Sequence, residues 1–216
     1  MTLFPRRAFL GLAVTAFSAP HRRSFAANFS EVAAPIVALN SGLMEAMQAG
    51  PHLSFQQRFD RLAPDIDRAF DLTDILRLSI GLVYPNLLEA EREALLAVFR
   101  RFTVASYVTN FDRFDGERFE VLPELREIGQ DQVVSTRITP ATGQPIRLDY
   151  VMRKTETGWR AIDVLMDGTI SRVAVQRSDF RALLTQGTGS QVTAQPLIAS
   201  LRKKVLDLSG GQLASG

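Results

Sequence analysis

Trp159-Arg-Ala-Ile-Asp-Val-Leu-Met-Asp-Gly-Thr-Ile-Ser171 holds one strand, a tight turn and the start of a second strand. Ile162, Val164 and Met166 recur at the period of two that a half-buried strand requires. Asp167-Gly168 has the composition of a two-residue hairpin turn, whose central residues need positive φ. The same pattern runs upstream. Ile146, Leu148, Tyr150 and Met152 fall on one face of a strand through Lys154, while Arg147, Asp149 and Arg153 fall mainly on the other. Arg118–Glu124 and Gln132–Thr139 read as two earlier strands, Thr169–Val175 as a fifth, and Gly143 and Gly158 as turns. An antiparallel sheet with one apolar face implies helices laid across it.

Both flanks are helical. Phe29 to Met47 places Val32, Ile36, Leu39, Leu43 and Met47 on one stripe, and Ser54 caps a second helix carrying Phe55, Phe59 and Leu62. Pro64 is expected to end or kink that helix, since proline lacks the N–H and crowds the preceding turn. Asp71 caps Leu72 to Leu82, which Tyr84-Pro85-Asn86 breaks. From about Glu89 to Asp112 the apolar side changes midway: Leu95, Val98, Phe99 and Phe102 cluster opposite Val104, Tyr107, Val108 and Phe111. A helix sandwiched between helices and a sheet or cavity explains this, and so does a bend near Phe102–Thr103. Ser178 is expected to cap a helix through Leu184, and Pro196 precedes a last one with Leu197, Leu201, Val205 and Leu208. Residues 209–216, rich in Gly and Ser, read as a flexible tail.

The amino terminus reads as a leader covering residues 1–26. Arg6-Arg7 precede an apolar stretch from Ala8 to Ala19, and Ser24-Phe25-Ala26 offers the small-x-small pattern of a cleavage site. The stretch falls short of the roughly 20 residues of a membrane span. Export by the general secretory or the twin-arginine route fits Pro5-Arg-Arg-Ala-Phe-Leu10. The leader holds four of the 25 basic residues, so residues 27–216 are slightly acidic at −2 against 23 acids. That balance gives no support for a nucleic-acid partner. Without cysteine, neither disulfides nor a lipid-modified cysteine is available, and the core alone must hold the fold.

Motifs for catalysis are missing. The only histidines are His21, in the leader, and His52, so no HExxH or Cys/His cluster exists and a triad would depend on His52 alone, with no Gly-x-Ser-x-Gly elbow beside any serine. No phosphate loop or dinucleotide fingerprint occurs either. Asp149 or Asp163, with Tyr107 or Tyr150, could serve an isomerase-like proton transfer in an apolar pocket. Cross-strand pairing of these acids with Arg147, Arg153 or Arg160 is the commoner use of such residues. Arg147, Arg153, Lys154, Arg160, Arg172 and Arg177 either guard the sheet edges or contact phosphates or an acidic partner. Arg202-Lys203-Lys204 suggests transient contact with a membrane surface. No cofactor and no metal are expected.

Phe70-Asp71-Leu72 leading to Ser79-Ile80-Gly81, the helix ending Tyr107-Val-Thr-Asn-Phe111, the strand Ile146 to Lys154, and Trp159 to Ser171 succeed one another as in the MlaC family. The chain resembles these toluene-tolerance auxiliary proteins, soluble periplasmic lipid-binding components of ABC transport systems, over nearly all of residues 27–208. It is also similar to the hopanoid-associated HpnM branch. The resemblance implies an α+β fold: a curved antiparallel (mixed) sheet of four to five strands against several helices around an apolar cavity. The expected helical part is 29–114, the sheet 117–175 and the carboxy-terminal helices 178–208. It further implies a non-enzymatic periplasmic carrier of phospholipid or a hopanoid-like lipid, serving outer-membrane lipid homeostasis. Its partners would be an MCE-domain ABC transporter complex and an outer-membrane lipoprotein complex. An exported isomerase and a docking subunit without cargo remain as alternatives. The expected lipid-lining residues are Val104, Tyr107, Val108, Phe111, Val134, Leu148, Tyr150, Met152, Ile162, Val164 and Met166. The same residues would also suit an ordinary filled core.

Overall fold

The computed structural model describes residues 21–186 and 192–213. Among the described residues, six α-helices, α1 (His21–Ala49), α2 (Phe55–Ala69), α3 (Leu72–Ile80), α4 (Glu89–Asn110), α5 (Arg172–Arg181) and α6 (Gln195–Leu208), accompany a sheet of β1 (Arg118–Ile128), β2 (Asp131–Thr139), β3 (Ile146–Thr155), β4 (Gly158–Met166) and β5 (Ile170–Ser171). Each strand pairs antiparallel with its sequence neighbour, giving the order β1-β2-β3-β4-β5. A separate two-stranded ribbon joins β6 (Thr185–Gln186) to β7 (Val192–Thr193). The architecture is α+β.

Local chemistry accounts for most of these limits. Ser54 and Gln57 form a reciprocal capping box at the start of α2, satisfying two backbone donors that the helix leaves open. Of the two outcomes expected at Pro64, an end is excluded: α2 runs through it to Ala69. Leu62, Ala63, Ile66 and Ala69 are all buried on either side of the proline, and their packing against the core outweighs the lost hydrogen bond. Asp71 caps α3 by accepting from the Asp74 N–H at 2.9 Å. That helix ends at Ile80 rather than Leu82, because Gly81 takes φ +60°, and a 3-10 turn over Gly81–Asn86 follows. α1 begins at His21, earlier than Phe29. Positions 1–20 of the expected leader lie outside the described residues. Among those residues, no helix is long and apolar enough to cross a membrane.

The largest correction falls after β4. The expected strand Thr169–Val175 is only Ile170–Ser171, and the next helix starts at Arg172 instead of after Ser178. The cause lies in side-chain acceptors. Ser171 Oγ receives the Ala174 N–H at 2.9 Å, and the Asp163 carboxylate on β4 receives the Val173 N–H at 3.1 Å. Two orphan donors of a first helical turn are thereby satisfied at that point. The tail also differs from expectation. Leu213 is buried, and Gln212 Oε1 accepts from the Phe55 N–H at 3.1 Å, fastening the chain end to the start of α2. Residues 214–216 lie outside the described residues.

The core joins the buried faces of α1, α2, α3, α4 and α6 to the inner residues of β2, β3 and β4. All five residues of the α1 stripe are buried. α4 packs against α6, α2 and α3, and residues of both its apolar patches, Leu95, Val98 and Phe99 from one and Val104 and Val108 from the other, are buried in the core.

Candidate ligand cavity

Sheet and helices do not close on each other everywhere. A cavity of about 670 Å³ lies among α4, the start of β3, the end of β4, neighbouring residues of β1 and β2, and α5. That is within the roughly 300–1,000 Å³ of ordinary ligand sites. Burial along β3 shows how it opens. Met152 and Tyr150 are in the packed core, Leu148 is half-buried on the cavity wall, and Ile146 is 46% exposed at its end. β4 repeats the gradient, from buried Ala161 through half-buried Val164 to exposed Met166. Cross-strand pairs Tyr150↔Val164 and Leu148↔Met166 keep both sets on one face.

A bulge breaks that alternation at Ile162. Val151 pairs with Asp163 while Met152 pairs with Ala161, so Ile162 is the extra residue. Ala161 takes the place opposite Met152. Its small side chain admits the chain at Phe70, which bridges to it, and its carbonyl accepts the Asp71 N–H at 2.9 Å.

Of the residues expected to line a cavity, Tyr107, Phe111, Leu148, Val164 and Met166 do line it. Val104, Val108, Val134, Tyr150 and Met152 are in the filled core instead, and Ile162 is buried away from the cavity. The wall that α4 presents is Phe99, Phe102, Thr103, Ser106, Tyr107 and Asn110. Its polar members carry no apolar period that would mark them in the sequence. Their hydroxyls are occupied within the helix: Thr103 Oγ1 donates to the Phe99 carbonyl at 2.9 Å, and Ser106 Oγ to the Phe102 carbonyl at 2.8 Å. Such back-bonded hydroxyls present mostly carbon to the space outside the helix.

Aromatic rings form a continuous side. Phe70 meets Tyr107 at 5.7 Å, Tyr107 stacks on Phe111 at 5.9 Å, and Phe111 meets Phe119 at 5.9 Å. Burial raises the Tyr107 phenol well above its ordinary value and the neighbouring Tyr150 raises it further, so the ring stays neutral. Polar groups on the α5 side are engaged as well. The Asp163 carboxylate accepts from Ser171 Oγ and from the Val164 and Val173 amides, and Gln176 Oε1 accepts from Ser79 Oγ at 3.0 Å. Arg172, exposed at the rim, is the lining cation without a hydrogen bond or ion pair among the described residues, whereas Arg113 pairs with Asp115 at 2.9 Å.

Several other basic residues make contacts within the fold. Arg153 forks onto Asp131 at 2.9 and 2.7 Å and reaches Asp74 at 2.7 Å, tying the sheet to α3. Lys154 pairs with Glu31 at 3.3 Å, Arg160 donates to the Asp67 carbonyl, and Arg177 donates to the Leu78 carbonyl at 2.6 Å. On α6, Lys203 pairs with Asp207 at 2.8 Å and Lys204 lies 5.7 Å from the Phe102 ring centre.

Asp149 is not available as a base. It is completely buried, and Arg147 donates to its two oxygens at 2.8 and 3.1 Å while Arg126 holds one of them. Burial opposes its ionisation, but hydrogen bonds from Arg147 and Ser135 and the two guanidinium charges outweigh it and hold the carboxyl below its ordinary value. A carboxyl lowered on folding contributes stability that is complete above the unfolded value, ~3.9, and is lost as pH falls through the folded value. Asp149→Asn is therefore expected to lower stability at neutral pH and to flatten the acid limb, read from urea melts across pH. An unchanged acid limb would assign the acid sensitivity to other carboxylates.

A helix-clasped open sheet with a hollow at one end defines this class of α+β protein. The chain belongs to the MlaC family, whose profile, described as "MlaC protein", matches residues 38–203. Its fold is similar to that of a solved structure described as the phospholipid-binding protein from Ralstonia solanacearum in complex with a phospholipid. The TM-score is 0.70 at 15% identity, covering 83% of this chain and 99% of that one.

Proposed function

We propose that the protein is a periplasmic lipid carrier that buries phospholipid tails in the cavity and passes the lipid between membrane-bound transport complexes. The observation that carries this reading is the cavity itself, walled by aromatic and aliphatic side chains and by hydroxyls already bonded within α4. Burying a methylene contributes roughly 0.8 kcal/mol, so two tails with about 30 methylenes represent on the order of 25 kcal/mol of gross burial. Some of this must be matched by any protein that holds the lipid in water. Family membership and the phospholipid-bound neighbour support the same cargo class.

Under this reading residues 1–26 are a cleaved leader, followed by one lipid-binding domain over 27–208. The partners would be an MCE-domain ABC transporter complex and an outer-membrane lipoprotein complex, with Arg202-Lys203-Lys204 available to touch a membrane surface. A hopanoid-like lipid is the second candidate cargo. Catalysis has no part in it. Native mass spectrometry and solvent extraction of the purified protein test the proposal: a stoichiometric phospholipid or polycyclic lipid is expected. Protein that is lipid-free as isolated and takes up none from vesicles would overturn it.

A further inference from the structure

A second hollow, about 740 Å³ and open to solvent, lies among α2, the start of α3, the first half of α4 and the β3–β4 turn. Phe70 and Leu72 belong to its wall and also to the wall of the first cavity; no other described residue lines both. They are nearly inaccessible, at 3% and 8% exposure. We propose that these two side chains form a septum that sets the length of hydrocarbon tail the first cavity accepts. The inference rests on the lipid-carrier reading and adds a specificity determinant to it.

The septum is held from several directions. The Phe70 N–H donates to the Ile66 carbonyl at 3.0 Å, and the following amide donates to Ala161 on β4. Its ring packs between Tyr107 and Tyr150, with centres 5.7 and 6.2 Å away. Leu72 opens α3 directly after the Asp71 cap. Close-packed walls do not yield to one more methylene without strain. Beyond the septum, Leu96 and Ala97 continue an apolar surface, which ends at a polar rim where Arg100 forks onto Asp67 at 2.8 and 2.6 Å.

Tail length then enters through simple arithmetic. Each methylene newly buried strengthens retention by about fourfold, and the gain stops when the tail end meets a wall. Removing the wall joins the cavities and moves that stop.

The test offers purified protein a mixture of saturated diacyl phosphatidylcholines of increasing chain length and reads the retained species by native mass spectrometry. Wild type is expected to show rising retention up to a break. Phe70→Ala and Leu72→Ala should move the break to longer tails, with about fifteenfold more retention two methylenes past the wild-type break. Leu72→Trp should move it to shorter ones. Leu62→Ala, buried and in neither wall, should lower the melting temperature and leave the break in place. If Phe70→Ala does not fold, the opposite shifts of the two Leu72 variants decide. A break that stays fixed in folded septum variants, or that Leu62→Ala moves equally, overturns the septum and leaves the carrier reading intact. Wild type that retains no lipid of any length overturns both.

Discussion

Leu148→Arg is expected to reduce the lipid bound by the purified protein by about tenfold or more, with a fall of only a few degrees in melting temperature. Leu148 is half-buried on β3, between Thr136 and Met166, and its side chain borders the cavity. A guanidinium there occupies space meant for hydrocarbon and brings a charge that tails cannot solvate. Its long stem can still carry the charge toward the exposed end of the strand near Ile146, so folding suffers less than binding. Val164→Asp, across from Tyr150, should act in the same direction. Native mass spectrometry and thermal melts on the same samples separate the outcomes. Undiminished lipid in both variants would place the tails elsewhere, and loss of lipid only in parallel with loss of folding would reduce Leu148 to a packing residue.

Phe99→Ala should have the largest effect on stability, roughly 3–5 kcal/mol. For a domain of this size that is roughly 6–20 °C in melting temperature. Phe99 is 1% exposed, meets Phe180 edge-on at 6.3 Å and 89°, and so links α4 to α5 beside the cavity. Phe99→Leu should recover much of the loss. Because only the folded form would hold lipid, phospholipid at a hundredfold excess over Kd should add about 2.7 kcal/mol to wild type, and to the variant too if it still binds. Melting that ignores added phospholipid even in wild type would count against the carrier reading. A cost near zero for Phe99→Ala would mean that the α4–α5 contact is not part of the stable core.

Some features were legible in the sequence for identifiable reasons. The α1 stripe and the five-strand meander showed because burial on one face imposes a period, and the turn glycines and Asp167-Gly168 marked the hairpins. Ser54 and Asp71 were readable as caps because their acceptors lie within the same turn. What escaped depended on partners distant in sequence. The start of α5 is set by Asp163, ten residues before Val173, and the bulge at Ile162 lies beside the bridge between Ala161 and Phe70. Within the cavity, alternation identified Leu148, Val164 and Met166 but could not separate them from Tyr150 and Met152, two and four residues along the same face. Position along the strand, rather than residue type, decides which side chains meet the hollow. The Thr103 and Ser106 hydroxyls of α4 carried no apolar signal at all, and only their bonds to the Phe99 and Phe102 carbonyls reveal why they suit a greasy neighbour.

Strand order running strictly β1 to β5 has a kinetic consequence. Each ribbon can zip from its own short reversal, so the meander forms with little loop-closure entropy, and long-distance ordering is left to the helices at the two ends of the chain. A polypeptide emerging from one end would assemble its middle locally and seal it last, when α6 docks on α4 and Gln212 reaches back to Phe55.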